Sequence, residues 1–186
     1  MRLLLPFVVL MLLGCSGSVT NRNPVGETLP RLEGTGLNGK QWTFPEGLEG
    51  EPAVLFVGYV QDSQFDIDRW LLGMLQLKTD VAVYEVPTIE GMIPGMIAGR
   101  IDEGMRKGIP AEDWASVVTV YDDAEYLVKL TGNENPRNAR VMLIGRDEKI
   151  IWFWDQGYSA SAVASLDEAV TKSKLGSTAI KPTTGQ

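Results

Sequence analysis

The middle of the chain divides into apolar segments with the lengths and spacings of buried strands and amphipathic helices. Residues 53–60 form a continuous apolar run, which is typical of a strand buried on both faces of a sheet. The apolar residues that follow recur at near-helical spacing and predict a helix with one buried face. They are Phe65, Ile67, Trp70, Leu71, Met74, Leu75 and Leu77. Pro94 is suited to begin another helix. The apolar stripe of that helix consists of Ile97, Ile101 and Met105.

The remaining pattern predicts strands over 40–44, 81–86, 116–121, 141–144 and 149–154, and helices over 124–130 and 160–172. Residues 145–148 (Gly-Arg-Asp-Glu) predict a hairpin turn between the last two strands. Because side chains alternate along a strand, Phe153 is expected to point away from the face shared by Trp152 and Trp154. The order β-β-α-β-α-β-α-β-β-α favours an α/β fold with a mixed sheet covered by helices.

The N-terminus has the pattern of an export signal. Arg2 is followed by an apolar run over residues 3–13, which is too short for a membrane-spanning helix. The residues Leu12-Leu13-Gly14-Cys15 resemble the cleavage box of bacterial lipoproteins. This resemblance implies removal of residues 1–14 and acylation of Cys15. The residue after the cysteine is Ser16 rather than an aspartate, which in Gram-negative lipoproteins favours sorting to the outer membrane. The alternative is an ordinary secretory signal in which the cysteine has no role.

Composition narrows the classes of function. The net charge is −7 without a basic cluster, which argues against nucleic acid as a partner. The chain has one cysteine and no histidine, so most thiol, metal and nucleophilic chemistries lack a necessary group. We expect no cofactor and no metal.

Beyond the signal, the pattern predicts a lipidated flexible tether over 15–24, one domain over 25–175 and a disordered tail over 176–186.

Two segments resemble the thioredoxin-like domains of the peroxiredoxin-type group. The first is Asn38-Gly39-Lys40-Gln41-Trp42-Thr43-Phe44 together with the apolar run 53–60, and the second covers residues 140–152. The resemblance implies a three-layer sandwich in which a central mixed sheet carries helices on both faces. Enzymes of this group place a reactive cysteine directly after the buried strand, where the helix dipole lowers the thiol pKa.

This chain departs from that pattern at both chemical positions. Gln61-Asp62-Ser63-Gln64 stands where the reactive cysteine is expected, and a lipid on Cys15 would block that thiol. Ala139 and Arg140 occupy the place of the group's cis-proline, since Pro136 comes a few residues too early. We therefore expect a protein that is not an enzyme and has no dithiol or peroxidase activity.

A second resemblance concerns function. Met105-Arg106-Lys107-Gly108-Ile109-Pro110, followed by a strand and the final hairpin, is similar to a mitochondrial family of ATP synthase assembly factors. That family has a redox-inactive thioredoxin-like fold and acts as a chaperone for a membrane subunit of the Fo sector. The resemblance implies a membrane-anchored, non-catalytic assembly factor or chaperone that binds another protein.

The expected contact surface combines two segments. The methionine-rich stretch 89–109 has five glycines that weaken a helix, and its methionines provide an adaptable apolar surface. The alternative is a loosely packed core helix. With the turn 61–64, the predicted partner-binding residues are Gln61, Asp62, Ser63, Gln64, Met92, Met96, Arg100, Met105 and Arg106.

Acidic residues allow a different class of function. Asp62, Asp66 and Asp68 are interpreted as charges at a helix start rather than a cation site, because their spacing fits no known loop. The same interpretation applies to residues 122, 123 and 125, and Ser63 is interpreted as a cap or turn residue. A carboxylate-based enzyme would need one carboxyl group with a raised pKa in a cleft. A small-ligand carrier would need an apolar pocket beside the methionine stretch.

Overall fold

The computed structural model describes residues 18–91 and 95–175. Within these ranges the chain forms seven strands, four α-helices and three short 3-10 segments. The strands are β1 (Leu32–Gly36), β2 (Gln41–Phe44), β3 (Ala53–Gly58), β4 (Ala82–Pro87), β5 (Val118–Thr119), β6 (Arg140–Ile144) and β7 (Ile150–Trp154). The helices are α1 (Gln64–Leu77), α2 (Gly95–Gly108), α3 (Ala124–Thr131) and α4 (Ala160–Leu175). The 3-10 segments are Glu46–Leu48, Gln61–Ser63 and Ala111–Ser116.

The strands form the mixed sheet that the sequence predicted. A four-stranded sheet has the order β4-β3-β6-β7, in which β4 is parallel to β3 and the other pairs are antiparallel. A three-stranded antiparallel sheet has the order β2-β1-β5. Parallel bridges from Glu85 to Val117 and from Thr88 to Val120 join the two sheets. The predicted hairpin turn is also present, because Gly145 N–H donates to Lys149 O at 2.8 Å.

Each face of the sheet has its own apolar core. Alternate residues of β3 and β6 point to opposite faces, as the pleat requires. One core contains the inner faces of α1 and α4, and it includes Trp70, Val163 and Leu166. The opposite core contains α3 and the three-stranded sheet. Trp152 and Trp154 pack on the first core and Phe153 on the second, which confirms the predicted alternation.

The apolar residues of α1 do not all lie in the core, and this corrects the sequence prediction. Ile67, Trp70 and Met74 are buried, whereas Phe65 and Leu75 are 72% and 73% exposed. Leu77 is exposed as well, and Leu71 is partly buried. The physical reason is that the sheet and α4 cover only one side of α1. Apolar residues on the other side therefore remain in contact with solvent.

Strand β1 was not predicted, because two of its five residues are glycines. Gly34 is required by packing: a Cβ atom there would lie 2.7 Å from Val118 Cγ1 on the adjacent strand. The strand predicted over 116–121 is shorter than expected, since a 3-10 segment ends at Ser116 and β5 has only two residues. The expected order therefore holds with one strand added at its start.

The predicted flexible tether, 15–24, is partly bound to the domain. Val19 O accepts from Asn133 N–H at 2.9 Å, and Arg22 N–H donates to Thr131 O at 3.1 Å. These bonds hold the segment beside the end of α3, so the tether is shorter than the sequence suggested. Cys15, the leader 1–14 and the tail 176–186 lie outside the described residues. In the part of the chain that is described, no helix combines the length and apolarity needed to cross a bilayer.

Candidate functional site

The turn between β3 and α1, residues 61–64, is the position at which the sequence departs from thioredoxin-like enzymes. Ser63 is only 3% exposed, and its Oγ donates to Val60 O at 2.7 Å. Gly58 makes room for this hydroxyl, because a Cβ atom there would lie 2.4 Å from Ser63 Oγ. Ser63 therefore closes the turn, in agreement with its interpretation as a turn residue, and it does not present a nucleophile to solvent.

The other predicted residues of this turn lie nearer the surface. Gln61 and Asp62 are exposed, and Asp62 pairs with Arg137 at 3.3 Å. Gln64 Nε2 donates to Asp68 Oδ1 at 3.0 Å and to Glu85 Oε2 at 3.1 Å. Gln61 and Asp62 thus lie at the surface, whereas Gln64 is engaged with neighbouring carboxylates.

Glu85 is an unusual residue of this region that the sequence analysis did not select. It lies on β4, and burial raises the pKa of its carboxyl group, with Asp68 and Asp113 adding to the effect. The bond from Gln64 acts in the opposite direction. The available signal was a single glutamate inside an otherwise apolar strand. Glu85 is partly buried, and its hydrogen bond from Gln64 joins β4 to the start of α1.

Arg140 is fully buried beside the turn, at the position expected for the cis-proline of related enzymes. Its Nε donates to Gly132 O at 3.3 Å, and Nη1 donates to Asn135 O at 3.3 Å and Asn138 O at 2.8 Å. Its Nη2 donates to Asn21 Oδ1 at 2.9 Å and to the carbonyl oxygen of residue 134. A guanidinium has five N–H donors, so this set uses all of them. No donor remains for an incoming anion.

An aromatic ring completes the surroundings of Arg140. The guanidinium carbon lies 5.4 Å from the centroid of the Tyr59 ring, and the Tyr59 hydroxyl is 2.7 Å from Thr131 Oγ1. Burial raises the pKa of Tyr59, so the phenol stays neutral near pH 7. Burial lowers the pKa of Arg140, but a guanidinium keeps its charge in proteins. Within the described residues the one cis peptide bond joins Phe44 to Pro45, and it lies elsewhere in the fold.

Asp66 lies in the first turn of α1, as predicted for a helix-start charge, and it has a further role that the sequence did not show. It is 2% exposed, its Oδ2 accepts from Ala139 N–H at 3.0 Å, and its Oδ1 accepts from Tyr158 N–H at 2.8 Å. Arg69 adds a partly exposed ion pair at 3.2 Å. The carboxylate therefore joins α1 to the segments before β6 and before α4.

Among residues 18–91 and 95–175, no three His, Cys, Asp or Glu side chains come together as a metal site.

An apolar surface lies on the solvent side of α1, directly after the turn. Phe65, Leu72 and Leu75 are 72%, 59% and 73% exposed, and they are called the α1 apolar surface below. Residues seven and ten positions apart lie on one side of a helix, so these three side chains face the same side of α1, with the exposed Asp68 and Arg69 between Phe65 and Leu72. Val60, which precedes the turn, is exposed as well. The sequence showed these residues as apolar, but their periodicity did not separate them from the core.

The predicted methionine surface on α2 is only partly available. Met92 lies outside the described residues, Met96 is 76% exposed and Arg100 is exposed, whereas Met105 is partly buried. Arg106 is occupied, because its Nε donates to Leu37 O at 2.7 Å. No described residue of α2 is buried, so the alternative of a core helix is wrong. Structural bonds hold this helix at the edge of the domain.

The second acidic group is a turn and helix start, as predicted. Asp123 Oδ2 accepts from Glu33 N–H at 2.6 Å, and Glu125 pairs with Lys129 at 2.9 Å.

Two open depressions flank Asp122, with volumes of about 580 and 340 Å³. Their linings are largely polar and charged. Neither has the character of the apolar pocket that a small-ligand carrier would need.

Comparison with known proteins identifies the fold. No protein-family model and no curated protein matches the sequence. A Bacteroides thetaiotaomicron protein described as a disulfide isomerase has a TM-score of 0.55 at 17% identity, over 87% of this chain and 99% of that chain. BsSco, of the Sco family of cytochrome c oxidase assembly proteins, has a TM-score of 0.55 at 9% identity, over 81% and 97%. A Chlorobium tepidum protein described as the thiol:disulfide interchange protein DsbE has a TM-score of 0.51 at 14% identity, over 80% and 96%. The chain has a thioredoxin-like α/β fold, as the sequence predicted.

Proposed function

We propose that this chain is a lipid-anchored, redox-inactive thioredoxin-like protein that binds another protein of the cell envelope as an assembly factor or chaperone. The observation that carries the proposal is the β3–α1 turn. Where a thioredoxin-like enzyme needs an accessible thiolate, this chain has Ser63 buried and bonded to Val60 O. The fold alone does not assign a function, but a turn that presents no nucleophile to solvent supports a binding role over thiol chemistry.

The α1 apolar surface supports a protein partner. Its three side chains are each more than half exposed, although burial of one such side chain stabilises a protein by about 1.5–3 kcal/mol. Several exposed apolar side chains on one side of a helix, with charged residues beside them, provide a surface that a protein partner can cover. Met96 on α2 offers a second exposed apolar contact. BsSco belongs to a family of assembly proteins, so the fold serves assembly elsewhere.

Anchoring at the membrane is supported by the leader and by Cys15. Several acyl chains on one cysteine hold a soluble domain firmly, because each buried methylene contributes about 0.8 kcal/mol.

The test of lipid anchoring is fractionation of cells that produce the natural chain or Cys15→Ser. We expect the natural chain to stay with the membrane after a salt wash and the variant to become soluble. Membrane pelleting of the variant under the same wash would contradict lipid anchoring.

In-cell crosslinking tests the protein-binding function. The natural chain, the double variant Phe65→Glu with Leu72→Glu, and Met96→Glu are each captured, and their crosslinked proteins are identified by mass spectrometry. Leu175→Glu is the matched control, since it changes an exposed leucine on a different helix. We expect one recurrent partner that Leu175→Glu retains and the α1 double variant loses. Loss with Met96→Glu instead would assign the contact to α2.

Two results would contradict a binding function. The first is the absence of any recurrent partner with the natural chain. The second is a partner that every variant retains, since such a protein does not recognise either apolar surface. Circular dichroism of the purified variants shows whether each of them is folded, so that loss of a partner is not confused with loss of structure.

A further inference from the structure

The N-terminal segment, residues 18–22, packs against the domain beside the β3–α1 turn. Val19 forms two bonds with Asn133: its N–H donates to Oδ1 at 2.7 Å, and its carbonyl accepts from the backbone N–H at 2.9 Å. Asn21 N–H donates to Glu134 Oε2 at 3.0 Å, and Arg22 N–H donates to Thr131 O at 3.1 Å. The segment is thus fixed to the loop 131–134 residue by residue.

The packing around Gly132 shows that this contact is close. Gly132 is buried with φ = +73°, and a Cβ atom there would lie 2.4 Å from both Thr20 O and Asn21 Cα. The side chain of Asn21 also accepts from Arg140 Nη2 at 2.9 Å, and Arg140 in turn contacts the Tyr59 ring. The segment is therefore continuous with the core beneath the turn and cannot move away without breaking those contacts.

Val19 is only four residues after Cys15, and four residues span at most about 14 Å. We propose that this short connection turns the loop 131–134 and the adjacent β3–α1 turn toward the lipid surface. This inference rests on the proposed lipid anchor. The hairpin turn at 145–148 then points away from the membrane, because β6 runs from Arg140 to that turn over about 17 Å.

The chemistry of the near surface fits a position beside lipid headgroups without insertion into the bilayer. Asp62, Glu90, Glu134 and Arg137 are exposed there, and charged side chains do not enter the hydrocarbon region. The length of the tether therefore sets the distance between this surface and the membrane. A partner that reaches the β3–α1 turn has to present its contact close to the bilayer.

Fluorescence quenching by lipid headgroups tests this orientation. The full lipidated chain is reconstituted in vesicles of phosphatidylethanolamine and phosphatidylglycerol that carry a nitroxide-labelled headgroup lipid. A dye is attached through Arg137→Cys on the near side or Asp147→Cys on the far side, which replace exposed, ion-paired residues. Acylated Cys15 does not react with the dye. We expect strong quenching at position 137 and little at position 147.

A longer tether is the control. Fifteen Gly and Ser residues inserted between Ser18 and Val19 add a root-mean-square length of about 20 Å and leave the packed segment intact. We expect the difference between the two positions to disappear. Equal quenching with the natural tether would overturn the orientation, and so would a difference that survives the insertion. If the natural chain does not float with vesicles, the lipid anchor fails and the orientation fails with it. If it floats and both dyes behave alike, only the orientation fails.

Discussion

Removal of the Asp66 carboxylate tests whether one buried side chain joins α1 to the rest of the domain. In Asp66→Ala, the backbone N–H groups of Ala139 and Tyr158 lose their acceptor. Both groups lie where α1 meets the segments before β6 and before α4. Water cannot easily replace the carboxylate, because Asp66 is 2% exposed.

The magnitude follows from these two N–H groups. Each buried donor left without a partner costs about 1–3 kcal/mol, so we expect the two together to lower the free energy of unfolding by about 2–6 kcal/mol. The bond to Arg69 adds little, since the arginine is 60% exposed and the pair is screened by solvent. A loss of this size is a large fraction of the roughly 5–15 kcal/mol that stabilises an ordinary domain. The melting temperature should fall on the order of 10 °C.

Urea unfolding followed by tryptophan fluorescence measures the change, and Trp70 in the adjacent core reports on the same region. Asp68→Ala is the matched control, because it removes an exposed aspartate from the same helix and should change stability by less than about 0.5 kcal/mol. Asp66→Asn should fall between the two, since the amide keeps one acceptor oxygen and adds a donor. Equal unfolding midpoints for Asp66→Ala and Asp68→Ala would refute the assigned role of Asp66.

Three further predictions concern other parts of the site. Arg140→Met should lower the free energy of unfolding by more than about 2 kcal/mol, because hydrogen bonds to a charged group contribute about 1.5–3 kcal/mol each. A urea midpoint equal to that of the natural chain would contradict this expectation. Burial raises the pKa of Glu85, so the folded state favours the protonated carboxyl group. The contribution of Glu85 to the free energy of unfolding is therefore complete at a pH below its pKa in the unfolded chain. It is lost as the pH rises through its higher pKa in the folded chain. Glu85→Gln should therefore raise the urea midpoint at pH 7 and change it little at about pH 4, whereas an equal change at both values would argue against burial as the cause. The purified mature chain, which keeps Cys15, should show no insulin reduction or peroxidase turnover above the blank, and measurable turnover would refute redox inactivity.

The fold could be predicted from the sequence because its central elements have strong local signals. Strand β3 is a continuous apolar run, and the β6–β7 hairpin has a recognisable turn between two apolar segments. Strand β1 lacked such a signal, since two of its five residues are glycines, one of which, Gly34, allows close contact with β5. On α1 the helical period was correct, but apolar residues occur on both sides of the helix. Only the position of α4 determines which side is buried.

The candidate site was predicted in outline. The four residues of the β3–α1 turn were identified from their place after a buried strand, and Ser63 has the structural role assigned to it. Glu85 and the α1 apolar surface were missed, because an isolated glutamate and an amphipathic helix have no pattern that marks them as exposed or functional. Met105 and Arg106 were predicted contacts, yet they are partly buried against neighbouring residues.

The sequence by itself determined which reactive side chains are present and most of the elements that the chain forms. One cysteine, no histidine and the order of apolar segments are properties of composition and local period, which do not depend on how distant segments meet. The tertiary structure decided the roles of Asp66 and Arg140. Asp66 bonds residues 73 and 92 positions away, and Arg140 bonds Asn21 at a separation of 119. A charged residue in a strand or helix looks the same in sequence whether it faces water or a distant backbone group. Only folding brings that group within the roughly 3 Å at which a hydrogen bond forms.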